Sequence, residues 1–185
     1  MVPALRRRSA ADYRAHRVQR KEATMRRVLY LAAALAAASA GPAALAADPP
    51  VPFPQGYRDW RHVKSMAINP GHPLYDAFGG IHHLYANRKA VEGYRTGKFP
   101  DGAVIVFDLL EARAADNAVV EGPRKVVGVM HKDRAKYRAT GGWGFEGFKG
   151  DSRTERAVGD KAVAACFGCH DGQRARDYVF SAMRP

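Results

Sequence analysis

Short β-branched or alternating apolar runs separated by glycine, proline and charged residues dominate the chain after residue 57, and this is the pattern of strands rather than of long helices. The clearest run is Ala103–Leu110, bounded before it by the turn Phe99-Pro100-Asp101-Gly102, with Lys125–His131 a second strand. Lys64–Asn69 and Ile81–Ala86 also read as strands, with the loop Pro70-Gly71-His72-Pro73 between them. Gly141–Gly150 is aromatic and glycine-rich, which suits a further strand carrying a bulge or a close backbone approach. Helical spacing is confined to three places. Tyr57, Trp60 and Val63 share one side of a short helix; Arg88–Arg95 forms another that Gly97 can end; Asp160–Phe167 forms a third with Asp160 as its cap. The expected fold class is α+β, a single domain built on an antiparallel β-sheet with a few packing helices.

The first 46 residues change what the charge means. Met25-Arg26-Arg27, an apolar and alanine-rich run to Ala40, and Ala44-Leu45-Ala46 have the charged, apolar and small-residue order of a cleaved secretory signal. Translation is expected from Met25 and cleavage near Ala46, giving a periplasmic protein with no membrane span after cleavage. This leader holds nine of the 30 Lys/Arg and two of the 18 Asp/Glu, so +7 of the net +12 leaves with it. The remaining charge is interspersed, which gives no reason to expect nucleic-acid binding. Residues 47–56 contain four prolines and read as an extended arm, and residues 57–185 as the domain proper.

Both cysteines of the chain lie in Cys166-Phe167-Gly168-Cys169-His170. Cys-x-x-Cys also occurs in thioredoxin-like redox motifs and as half of a zinc site. Zinc needs four ligands and no other cysteine is present, while a thioredoxin-like motif belongs after a first strand, not fifteen residues from the C-terminus. Cys-x-x-Cys-His is instead the pattern that attaches haem covalently, with both thiols bonded to the macrocycle and the histidine on the iron. The expected cofactor is one haem c, held by Cys166 and Cys169, with His170 as metal ligand. Four long amphipathic helices, as a helical-bundle cytochrome would need, are not in this sequence.

The order of these pieces resembles the cytochrome P-460 and cytochrome c′-beta family. The resemblance rests on Tyr57-Arg58-Asp59-Trp60, Tyr85, Thr96 to Gly102, Gly142-Trp143-Gly144-Phe145, the C-terminal haem motif and Val179-Phe180. It implies an antiparallel sheet, a high-spin haem c with His170 proximal, an open or aromatic-capped distal face, and a homodimer. The hydroxylamine-oxidising branch carries a lysine bonded to the haem where Phe107 aligns, a carboxylate where Gly128 aligns, and an arginine opposite His82. Phenylalanine cannot make that bond. The remaining branch, cytochrome c′-beta, crowds the vacant iron position with apolar aromatics, so the resemblance implies a pentacoordinate iron binding NO or CO. Phe107 is the first candidate for the cap, with Phe145, Trp143 and Phe148 behind it.

His82 and His83 point to opposite faces of a strand, so only one can look into that pocket, and alignment selects His82. Its imidazole is a hydrogen-bond partner for a ligand, a sixth ligand, or a packing residue. Met66 and Met130 read as core, and His62, His72 and His131 as surface or structural positions. Two other activities stay open: oxidation of hydroxylamine or reduction of peroxide with His82 as acid-base group, and simple electron transfer with a redox partner protein.

Overall fold

A computed structural model describes residues 49–184; the leader, its cleavage site and Met25 lie outside them. Five strands, β1 (Arg61–Ile68), β2 (Gly80–Ala86), β3 (Val104–Ala115), β4 (Ala118–Lys132) and β5 (Trp143–Lys149), form one antiparallel sheet in sequence order. Helix α1 (Tyr75–Phe78) lies between β1 and β2, and α2 (Arg88–Thr96) between β2 and β3. Asn87 accepts from the Ala90 amide at the start of α2, and Gly97, at φ 74°, ends it in the left-handed conformation that glycine adopts without a Cβ penalty. Among the described residues no helix is long and apolar enough to cross a membrane.

Cross-strand partners in an antiparallel sheet share a face, so the register assigns the side chains. One face carries Leu84, Phe107, Gly128 and Gly147 in a single row, with His82 and Leu109 in the row on one side and Ile105, Met130 and Phe145 on the other. Over it, α2 and the C-terminal residues close a core of Val63, Ala90, Phe99, Ile105, Trp143, Phe145 and Val179. Each large side chain buried here stabilises the fold by roughly 1.5–3 kcal/mol. The opposite face is closed by the proline-rich segment, whose Val51 and Phe53 pack with Tyr57, Val106, Val127, Val129 and Phe148. On that face Tyr57 Oη donates to Asp108 Oδ2 at 2.7 Å and Arg124 Nε donates to Asp108 Oδ1 at 2.5 Å.

Three expectations need correction. The helix over Tyr57–Val63 is only a 3₁₀ turn, Tyr57–Asp59, because Arg61 and His62 pair with Ala86 and Tyr85, and a bulge there turns Val63 into the core. β3 and β4 continue well beyond Leu110 and Lys125 as a projecting hairpin, turned by Asp116 and Asn117, both at positive φ as a two-residue hairpin loop requires. For the Gly141–Gly150 strand the close approach holds and the bulge does not: its register is regular, and Tyr137 lies against Gly144, where a Cβ would come within 2.4 Å of the ring. Asp160 does not cap the C-terminal helical run. The carboxylate that does so is Glu146 of β5, whose Oε1 accepts from the Gly159 amide at 3.1 Å.

Candidate functional site

Residues 155–157 run along the open edge of β5, where Ala157 N donates to Gly147 O at 2.6 Å and Lys149 N to Glu155 O at 3.0 Å. The chain then enters a helical run: a 3₁₀ turn at Gly159–Lys161, a π-helical turn at Val163–Phe167 and one α-turn at Gly168–His170. Widened π turns recur at functional sites because they re-aim side chains, and this one holds Cys166. Glu146 fixes the run's start. Burial alone would raise the pKa of its carboxyl, but the Arg156 guanidinium and the Gly147 and Gly159 amides outweigh burial and hold it below the usual range.

Cys166 is half-buried against the core and Cys169 is exposed. Burial, then the charges of Glu146 and Cys169, push the Cys166 thiol up, so it stands protonated at neutral pH. His170 Nδ1 lies 2.7 Å from the Tyr178 carbonyl oxygen. A carbonyl only accepts, so the proton sits on Nδ1 and the lone pair on Nε2, the arrangement a metal-ligating imidazole needs. Burial holds the His170 pKa down, with the Tyr178 bond opposing it. The ring is gripped by Phe145 and Phe180, each with its centroid 5.0 Å away.

On the sheet face, Phe107 and His82 stand together, ring centroids 4.5 Å apart, and Phe78 of α1 meets Phe107 edge-on at 5.7 Å. His82 is 4% exposed and its Nδ1 has no hydrogen-bond partner, an expensive state for a buried polar atom. Burial, and secondarily His83, lowers its pKa to about 4, so the imidazole is neutral at pH 7. Gly128, directly opposite Phe107, leaves its place in the row bare of a side chain, while Gly147 beside it is covered by Val126, Ala157 and Val158.

Phe145 and Trp143 do not cap the space over Phe107. Phe145 packs against His170, and Trp143, fully buried, donates its Nε1–H to the Asp177 carbonyl at 2.8 Å. Phe148 faces the other side of the sheet, against Phe53. Met66 shares the His82 row but is 48% exposed on the edge strand, so it is not core. His83 points away from the site, toward Ser65 and Glu121. Sequence reasoning missed Phe78, Glu146, Lys132 and Asp177. Phe78 sits in a short helix after a proline-glycine loop, and the others act through partners far along the chain.

These features fit a flat, mainly apolar macrocycle better than a bare ion. Two thiols and an available imidazole nitrogen lie within five residues, Gly128 leaves the sheet face bare of a side chain beside Phe107, and an orphaned His82 nitrogen lines the same face. Among the described residues no three His, Cys, Asp or Glu side chains converge as ligands of a free metal ion. The family model described as Cytochrome P460 matches residues 54–181. No curated protein matches the chain.

Proposed function

The chain belongs to the cytochrome P460 family, a haem-bearing cytochrome family, and on that premise we propose that it is a periplasmic monohaem c-type cytochrome that binds NO and CO. In this reading Cys166 and Cys169 hold the haem as thioethers, and His170 presents Nε2 to its iron. The haem supplies one metal site able to bind a diatomic gas. Everything that selects the ligand is done by the chain.

The observation that carries the reading is that Phe107, next to the place Gly128 leaves bare, stands where the resemblance to the oxidising branch would require a nucleophilic lysine. Its immediate row neighbours are Leu84 and Gly128, and Phe78 packs on it from above the sheet. Water or a polar substrate entering such a surface gives up hydrogen bonds worth roughly 1–3 kcal/mol each without replacement, whereas NO and CO have almost none to lose. His82 contributes an unsatisfied polar atom on this face, able to donate to or accept from a bound ligand according to its tautomer. The leader's signal-like order supports export, which covalent haem attachment accompanies. A homodimer and a redox partner protein that re-reduces the iron complete the proposal.

His82 also favours a second reading. A buried, neutral imidazole has a free lone pair for a proton, but with its pKa lowered to about 4 it is a weak acceptor at pH 7, which makes oxidation of hydroxylamine or reduction of peroxide the secondary reading. Turnover separates the two. With hydroxylamine and an artificial electron acceptor, the gas-binding protein is expected to show no sustained acceptor reduction. Many turnovers per haem, together with a haem peptide enlarged by a bond to lysine, would instead establish the oxidase.

A further inference from the structure

Lys132, the last residue of β4, is 1% exposed, and its ammonium group is enclosed by the protein. Nζ lies 2.6 Å from Asp177 Oδ1 and 3.0 Å from the Gly141 carbonyl oxygen, and 4.9 Å above the Trp143 ring. The second oxygen of Asp177 accepts from the Phe99 amide at 2.8 Å, and its backbone carbonyl accepts from Trp143 Nε1. Three donors, from Lys132, Phe99 and Trp143, therefore converge on one aspartate.

A buried ion pair is poor value as a source of stability, because desolvation consumes most of the attraction and apolar replacements of equal volume are often as stable. Its location suggests another use. Asp177 and the following Tyr178 both adopt positive φ, 51° and 66°, a conformation that costs side-chain-bearing residues and persists only where the surroundings enforce it. Tyr178 N donates to the Gln173 carbonyl at 2.8 Å, which sets the orientation of the next peptide group. That peptide group carries the carbonyl to which His170 Nδ1 donates.

We infer that Lys132 and Asp177 are positioning residues for His170: they enforce the left-handed turn that aims the Tyr178 carbonyl at Nδ1, and so fix the tautomer, orientation and basicity of the imidazole. The inference rests on His170 being the iron ligand. It goes beyond that reading by assigning the bond's control to a charge pair that touches neither the iron nor the macrocycle. Trp143, through its bond to the Asp177 carbonyl, belongs to the same clamp.

The test uses the haem-loaded protein and the iron–histidine stretching band of the ferrous form by resonance Raman, a signature that a merely structural role would not move. Lys132→Met with Asp177→Asn removes both charges and leaves neither one unpaired. The double variant is expected to keep its haem but show a shifted, broadened band, and on addition of NO to lose the iron–histidine bond roughly tenfold more readily, as loss of a partner behind a metal-bound imidazole does. Lys132→Arg, which keeps the charge, is expected to keep the wild-type band. A band unchanged in position and width in the double variant overturns the inference while leaving His170 as ligand. Absence of the band in the unmodified ferrous protein overturns both. If the double variant does not accumulate, Trp143→Phe reads the same clamp: a shifted band supports it and an unchanged band overturns it.

Discussion

Replacing Cys166 and Cys169 together by serine is expected to abolish covalent haem attachment while leaving the polypeptide folded. Serine differs from cysteine by one atom and is close to it in volume. Cys169 is exposed and Cys166 only half-buried at the rim of the core, so little packing is lost. The helical run keeps its anchors, since Glu146 still accepts from the Gly159 amide and Ala157 still bonds to Gly147. The whole effect should therefore fall on the cofactor. Intact mass of the exported protein checks it: the unmodified protein carries one haem mass, and the variant carries none after denaturation. A variant still bonded to haem would place the attachment elsewhere.

Gly128→Val is expected to separate the sheet from its cargo by moving them in opposite directions. A Cβ on Gly128 would meet Phe107 Cβ at 3.4 Å, an ordinary contact, so the strand accepts it. Valine also suits a strand better than glycine by up to about 1 kcal/mol, through lower backbone freedom and better cross-strand packing. The apoprotein should thus melt at the same temperature or higher. The added methyl groups, however, project into the bare place beside Phe107. Overfilling a packed surface costs roughly 1–3 kcal/mol, which corresponds to a ten- to hundredfold loss of affinity for whatever lies on it. Haem content per protein, set against the apoprotein melting temperature, reads both signs at once. Equal haem content with raised stability would show that the place beside Phe107 holds no macrocycle. Gly147 is a poorer probe, because its Cβ would press Val126 and Val158 at 3.2 Å and disturb the sheet edge itself.

The contrast between these two sites reflects what a linear sequence can carry. Cys166 to His170 is a local motif, read complete from five adjacent residues. Strand parity was legible too, setting His82 and His83 on opposite faces because alternation is a property of the strand alone, while the family resemblance selected His82 for the Phe107 face. Parity did not say where along the face a side chain falls. Trp143 and Phe145 have the right face but stand beside His170 and its supporting turn, a position set by how the C-terminal run folds back over β5. The projecting part of β3 and β4 was invisible for a different reason: with both faces in solvent, Glu111 to Glu121 shows no alternation and is rich in helix-forming residues. The cap of the haem-motif run was misread as Asp160, the local choice, because the carboxylate that serves there comes from a strand 13 residues before the amide it accepts from. Lys132 and Asp177 are 45 positions apart and leave no local trace at all.

The motif's single imidazole is packed by Phe145 of a sheet face that also carries Phe107, a neutral His82 and, against Phe107, Phe78. In the proposed function such a site would leave one iron position for a ligand that needs no hydrogen bonds from solvent. The absorption spectrum of the purified ferrous protein, recorded before and after NO, tests this most directly. A five-coordinate high-spin spectrum that shifts on addition of NO is the result this account predicts. A six-coordinate low-spin spectrum that NO leaves unchanged would contradict it.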